Sequence, residues 1–219
     1  MARRKERIED AAKDAGNDSF AIACDVTDEA SCESAITEAA KELGGIDALV
    51  YAPGIGPLGR LADTDAATWR RTFDTNVTGA ALITRAALPS LIDAHGKAAY
   101  LSSVSASMTP PWPGLGAYAV SKAALDKLVE AWRAEHPDVG FTRVVVGDCG
   151  GGEGDAVSEF PNAWDMELAG EFFPIWSERK YLAGTLIEVE ELITAVDAVL
   201  RAGATLSIPS ITLAPRPLQ

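Results

Sequence analysis

The chain has 219 residues, 47% of them apolar and 23% charged, the balance of one soluble globular domain with room for a sizeable core. A net charge of −13 excludes nucleic acid as a partner, because phosphate binding needs clustered Lys and Arg. No apolar stretch approaches the ~20 residues that cross a bilayer. The basic start at Arg3-Arg4-Lys5 has no apolar run behind it, so neither a membrane nor a secretory signal is expected. Cys24, Cys32 and Cys149 lack metal-ligand spacing, and His95 and His136 stand at helix ends. No metal site is expected, and free thiols suit a cytoplasmic location.

A polar helix over 3–14 opens the chain. SFAIACDV (19–26) is rich in β-formers and reads as a strand. Thr27 and Asp28 then cap a helix over 29–43, with an apolar stripe of Cys32, Ile36, Ala39 and Leu43, and Gly44-Gly45 stops it. IDALVYA (46–52) is nearly all apolar, as a strand covered on both faces should be. A loop rich in Gly and Pro comes next, from Pro53 to Gly59. Asp63 or Thr64 starts a long helical stretch, with one break, that ends near residue 93. AAYLSSV (98–104) is the next strand, TPPWPGLG (109–116) a loop, and 117–135 a helix ended by His136-Pro137. GFTRVVVGD (140–148) is a further buried strand and 150–154 a Gly-rich loop. An irregular aromatic segment spans 155–182, then a helix over 188–203 and a closing strand over 205–215. Strands alternate with helices throughout, which predicts a single α/β domain over 1–219: a doubly wound parallel sheet in three αβα layers.

Tyr118-Ala119-Val120-Ser121-Lys122 carries the strongest local signal. A spacing of four stacks Tyr118 and Lys122 on one helical face. A phenol titrates near pH ~10 when free, and an adjacent ammonium pulls that value down, so Tyr118 can pass a proton to or from a carbonyl or alcohol oxygen. Upstream, Leu101-Ser102-Ser103-Val104 ends a strand at the carboxyl edge of the sheet, where open α/β folds bind ligands. Asn76 stands in the preceding helix, where a mediocre helix former suggests a buried polar role.

Asn76, then a strand-end Ser, then Tyr118-x-x-x-Lys122, in that order on this background, resembles the short-chain dehydrogenase/reductase family. The likeness runs from about residue 3 to the end, and includes Asp25-Val26 after the first strand and IDALVYAPG in place of the family's strand ending in Asn-Asn-Ala-Gly. It implies a Rossmann-like fold and an NAD(P)-dependent oxidoreductase that interconverts a small-molecule carbonyl and a secondary alcohol. It makes Tyr118 the general acid/base and gives Lys122 two tasks, lowering the tyrosine pKa and binding the nicotinamide ribose. Asn76 anchors a relay water, and a serine polarises the substrate oxygen. Alignment to the strand end selects Ser103; the family's distance to the tyrosine selects Ser105. An insertion in the Pro-rich loop reconciles the first choice, and loops absorb insertions more easily than strand ends do, so Ser103 is preferred. The resemblance also implies that Asp25 and Val26 touch the adenine, that the Gly54 loop lines the ribose side, and that 155–182 is a substrate lid. Pairing through the long helices near 66–93 and 117–135 is implied as well, giving a homodimer or homotetramer. Arg3 and Arg4 stand where members preferring NADP place a cation for the 2′-phosphate, which puts NADP(H) ahead of NAD(H).

The family opens with a strand and a Gly-rich turn, Thr-Gly-x-x-x-Gly-x-Gly, whose backbone amides bind the pyrophosphate. Nothing here matches that turn. Ala2-Arg3-Arg4 resembles the residues just after the family's second strand, so the expectation is a sheet missing its first two strands, lacking roughly 30–40 residues of a βαβ unit, in a fragment of a longer enzyme. The alternative is a cofactor-free scaffold with a binding or regulatory role. Tyr51-Ala52-Pro53 and Gly147-Asp148-Cys149 also depart from the family's Asn-Asn-Ala and Pro-Gly.

Overall fold

The structure is a computed structural model and describes residues 1–16, 18–151, 160–203 and 205–216. Helix α1 (Lys5–Ala15) is followed by α2 (Glu29–Leu43), which starts where the Asp28 carboxylate accepts from Ser31 N and stops at Gly44 in the left-handed region, φ 76°. Strand β1 (Ala48–Tyr51) leads through a 3₁₀ turn at Leu61–Asp63 into α3 (Ala66–Phe73), capped by Asp65. The long helix then widens into a π turn at Asp74–Thr78 and continues as α4 (Gly79–Asp93). Strand β2 (Lys97–Ser103), the short α5 (Val104–Ser107), α6 (Gly116–Glu135) and β3 (Gly140–Val146) form the middle of the fold. Helices α7 (Met166–Glu178) and α8 (Val189–Leu200) and strand β4 (Ser210–Leu213) close it.

The four strands make one parallel sheet in the order β1-β2-β3-β4, flanked by helices. The register sets Tyr51 beside Tyr100 and Tyr100 beside Arg143. Because strand side chains alternate, Leu49, Tyr51, Ala98, Tyr100 and Phe141 share the face that packs against α2, α4 and α6 as one buried core. A second, smaller core joins Trp112, Leu115, Phe172 and Trp176, with Trp164 and Tyr181 against it. The fold is therefore the Rossmann-like α/β arrangement expected from the alternation of elements.

Three expectations change. Residues 19–26 form no strand; one parallel bridge joins Ala2 to Ala23, with Cys24 N donating to Ala2 O at 3.1 Å. Among the described residues no strand of the sheet pairs with this segment, and it is held instead by Ile22 and Cys24, buried in the main core. Second, the strand at 46–52 is covered on one face only: Leu49 and Tyr51 are buried, while Ala48 and Val50 are exposed, Val50 to 41%. β1 is an edge strand with β2 as its sheet partner, and α4 packs on its buried side. Third, the aromatic segment holds a helix, α7, whose N-cap Asp165 accepts from Glu167 N and Leu168 N. Pro174 lies inside it, and the pull of Phe172 and Trp176 into the second core outweighs that breaker. The aromatics of this segment are thus core residues in large part. The Gly-rich loop expected at 150–154 lies outside the described residues beyond Gly151.

The segment after Ala23 and the π turn meet at Gly79. A Cβ there would stand 2.7 Å from Tyr51 Oη and 2.8 Å from the Val26 carbonyl oxygen. Alanine gains up to about 1 kcal/mol over glycine inside a helix, but pressing against fixed backbone costs about 1–3 kcal/mol. Gly79→Ala is expected to lower the urea midpoint with an unchanged m-value; a raised midpoint would show that Val26 yields freely.

Candidate active site

Helix α6 begins at Gly116, just after a turn at Gly114 with φ 86°, and its spacing of four brings Tyr118 and Lys122 to the carboxyl end of β2. Lys122 Nζ donates to the Leu101 carbonyl at 2.6 Å and lies over the Tyr118 ring, 5.8 Å from its centroid. The lysine is 4% exposed, and burial pulls its pKa down to about 8 against the opposing pull of Asp126. Tyr118 behaves differently from the sequence expectation. Burial raises its pKa, and the Ser103 hydroxyl lowers it. Burial is the larger of the two effects, so the phenol rests protonated.

Ser103 ends β2 and caps α5: its Oγ accepts from Ser105 N at 3.2 Å and lies 3.0 Å from Ser105 Oγ. The two candidate serines are therefore neighbours, and Ser103 is the one against the phenol. Ser102 is buried on β2 without a hydrogen-bond partner, and Ser107 is exposed.

Asn76 is fully buried in the π turn, a distortion that recurs at functional sites. Its Oδ1 accepts from Ile55 N at 2.8 Å, and its Nδ2 donates to Ile55 O at 2.9 Å and to Ser121 Oγ at 2.8 Å. One amide thus fastens the loop after β1 to α6. At Gly54 in that loop, a Cβ would stand 3.3 Å from Lys122 Nζ and 3.7 Å from Asn76 Oδ1; only glycine leaves that space open beside the ammonium. The structure brings Asn76, Ser103, Tyr118, Lys122 and Gly54 together.

Arg3, Asp25 and Val26 form a second group. The Asp25 carboxylate accepts from Thr27 N at 3.0 Å and Thr27 Oγ1 at 2.8 Å, which lowers its pKa, with a smaller contribution from Arg3. Val26 joins this group to the π turn through Gly79.

Sequence reasoning missed Ser121 and Phe160. The Phe160 ring meets the Tyr118 ring edge-on, centroids 4.9 Å apart, and Trp164 Nε1 donates to Gly56 O at 2.8 Å. Nothing in the order of residues ties Phe160 to Tyr118 across that distance in sequence. Ser121 stands inside the Tyr–Lys motif, but its partner Asn76 is 45 residues away, a separation that no local spacing encodes.

A nicotinamide ribose suits what Lys122 and Tyr118 offer. The ammonium has spent one of its three protons on Leu101 O, and the bare backbone at Gly54 leaves room beside it.

The family model described as short chain dehydrogenase matches residues 1–161. The chain belongs to the short-chain dehydrogenase family. It is 36% identical over 140 residues to a short chain dehydrogenase of Pseudocercospora fijiensis, a match that covers 62% of this chain and 45% of that protein. The chain spans about half the length of the curated relatives it matches. Its fold superposes with TM-score 0.80 on an alcohol dehydrogenase from the archaeon Thermococcus sibiricus in complex with 5-hydroxy-NADP, at 21% identity over 97% of this chain and 83% of that one. A 3-ketoacyl-(acyl-carrier-protein) reductase from Brucella melitensis, in complex with NADH, gives TM-score 0.77 at 20% identity over 97% of this chain and 84% of that one. No helix among the described residues is long and apolar enough to cross a membrane, and no metal-binding cluster of His, Cys, Asp and Glu occurs among them.

Burial of Lys122 has a stability signature. Its folded pKa, about 8, lies below the ordinary lysine value of 10.5, so between these values the unfolded chain binds more protons and unfolding free energy rises with pH. The slope from one such group is at most about 1.4 kcal/mol per pH unit. Lys122→Met is expected to remove that rise when urea unfolding is compared with wild type from pH 7 upward; parallel curves would place Lys122 in water.

Proposed function

We propose that the chain forms the catalytic part of an NAD(P)-dependent oxidoreductase that interconverts a carbonyl and a secondary alcohol on a small molecule. The observation that carries this reading is the meeting of three groups at one sheet edge: the Tyr118 phenol, the Ser103 hydroxyl that lowers its pKa, and the Lys122 ammonium over its ring. When bound, the nicotinamide supplies or accepts the hydride. In reduction, Ser103 donates a hydrogen bond to the substrate carbonyl oxygen and Tyr118 gives that oxygen its proton. The C=O bond becomes an alcohol, and the phenolate left behind is stabilised by Lys122 and Ser103. Oxidation runs the same transfers backward. Lys122 and Tyr118 hold the ribose, the Gly54 backbone lines it, and Asn76 keeps that backbone in place.

Adenine contact through Asp25 and Val26 fits their position at the Ala2–Ala23 bridge. Arg3, an exposed cation near Asp25, favours NADP(H) over NAD(H). The pyrophosphate half of the dinucleotide calls for a Gly-rich turn on a further parallel strand beside β1. The open edge of β1 and the exposure of Val50 support this, because a further parallel strand with its crossover helix would cover both. A cofactor-free scaffold is the second reading; the closeness of Phe160 to Tyr118 and the tie from Trp164 to Gly56 favour it, since they crowd the phenol.

Two measurements separate these readings. Titrating the 219-residue chain with NADPH and following the fluorescence of its five tryptophans is expected to show weak binding, strengthened at least tenfold in a protein extended by a Gly-rich turn ahead of Ala2; no binding by either protein supports the scaffold. In the extended protein, Tyr118→Phe is expected to lower kcat about 10²–10⁴-fold with the NADPH affinity little changed. Ser103→Ala is expected to raise the pKa of the Tyr118 phenol, read from its tyrosinate absorbance, more than Ser105→Ala does. The reverse order would exchange the roles of the two serines.

A further inference from the structure

A carboxylate lies in the core behind these residues without a hydrogen bond among the described residues. Asp126 is one turn beyond Lys122 on α6, so that Tyr118, Lys122 and Asp126 form a stripe at a spacing of four. It is 5% exposed, and neither of its carboxylate oxygens has a hydrogen-bond partner. Native proteins rarely leave such a group buried without compensation.

Its surroundings narrow what that compensation is. Ser102 faces it from β2; the hydroxyl lies near enough to favour the ionised carboxylate without completing a hydrogen bond. Arg143 approaches from β3, with Nη1 at 3.6 Å from Asp126 Oδ2 but at 3.3 Å from Glu130 Oε1, so its guanidinium is shared and leans toward the more exposed acid. Burial raises the Asp126 pKa and Glu130, on α6 itself, works the same way, while Ser102, Arg143 and Lys122 favour the charge. From the side of Lys122, the neighbours are Leu101 O, the Tyr118 ring, Asn76 and the Gly54 backbone, none of them anionic. The charge that works against discharge of Lys122 is that of Asp126.

We infer that Asp126 is the counter-charge that keeps Lys122 an ammonium inside the core, a positioning residue that acts through Lys122 on proton transfer at Tyr118. The purpose of the pairing rests on the oxidoreductase reading; the pairing itself does not. Without it, a lysine cut off from water by α6, β2 and the Gly54 loop has every reason to lose its proton, and a neutral amine neither stabilises a phenolate nor holds a ribose with full strength.

Nuclear magnetic resonance of protein labelled with ¹³C at lysine Cε and aspartate Cγ tests this directly, the Lys122 signal being the one lost in Lys122→Met. Asp126→Asn is expected to lower the Lys122 pKa by about one unit or more, and Asp126→Glu to restore part of the shift. An unchanged Lys122 titration in a folded Asp126→Asn overturns the inference, because an acid that merely ties α6 to Arg143 moves stability and leaves Lys122 alone. If Asp126→Asn does not fold, reciprocity supplies the second arm: Lys122→Met must raise the Asp126 pKa by the same amount, and an unmoved Asp126 overturns the pairing. Neither titration needs turnover. The pairing can therefore fail with hydride transfer intact, and loss of NADPH binding in the extended protein would sink the oxidoreductase reading with the pairing intact.

Discussion

Keeping one ammonium in a nearly dry place is the constraint around which this site is built. Lys122 reaches the carboxyl end of β2 from α6 and donates a hydrogen bond to Leu101 O at 2.6 Å. Leu101 lies one residue past the last β1–β2 pair, Tyr51–Tyr100, while β2 stays paired with β3 through Ser103. Burial disfavours the charge, and what offsets that cost comes from different parts of the chain: a carbonyl from β2, a ring face from Tyr118 and a carboxylate one turn on. Each contribution is modest, and each depends on α6 lying across the sheet at one register. A slide of the helix by one residue would turn Tyr118, Lys122 and Asp126 off the strand end together.

The π turn supplies the second part of the design. A regular α-helix from Ala66 to Asp93 would carry Asn76 elsewhere on the helical face; the extra residue per turn rotates everything after it by roughly a quarter turn. As built, the Asn76 amide reaches both the backbone of Ile55 and the hydroxyl of Ser121, and Ser121 Oγ in turn donates to Tyr118 O at 2.7 Å. Loop, bulged helix and α6 are thereby one hydrogen-bonded unit, with the side-chain oxygen and both amide protons of Asn76 engaged. Tyr51 Oη donates to Thr75 O at 2.5 Å and tethers the same bulge to β1. That contact uses the position where the family resemblance led one to expect an amide side chain, so a tyrosine here takes over a bracing task by a different route.

The legible parts of the sequence were those encoded over short distances. A spacing of four on an amphipathic helix specifies its own geometry, which is why Tyr118 and Lys122 could be paired by number alone, and Asp28 announced the start of α2 through ordinary capping chemistry. The β-formers of 19–26 state a preference, whereas a strand needs a neighbour along its length; Ile22 and Cys24 are buried in the main core, and the backbone between them meets Ala2 through one bridge at Ala23. Helix α7 was hidden by Gly170 and Pro174, local breakers outweighed by the aromatic core. Phe160 against Tyr118 is a tertiary fact, set by how the aromatic segment folds back, and no pattern of period two or four encodes it. Asp126 stood in plain view as the third step of the Tyr118–Lys122 stripe, but its burial, which gives it meaning, is a property of β2 and β3 rather than of α6.

The electrostatic state of Tyr118 gives the site a direction. A phenol whose pKa is raised by burial rests protonated, and in the proposed reaction a protonated phenol is the donor that carbonyl reduction requires. The ammonium over its ring contributes little to that resting state, because a neutral phenol offers it no charge to bind. Once the proton has moved to substrate, the phenolate is a buried anion, and the same ammonium and the Ser103 hydroxyl then interact with it far more strongly. Stabilisation that grows along the reaction coordinate accelerates chemistry, whereas equal stabilisation of both ends does not. A closed site that first raises the phenol pKa is therefore suited to proton donation, provided the lysine is still charged when the anion forms, and that is the condition Asp126 meets.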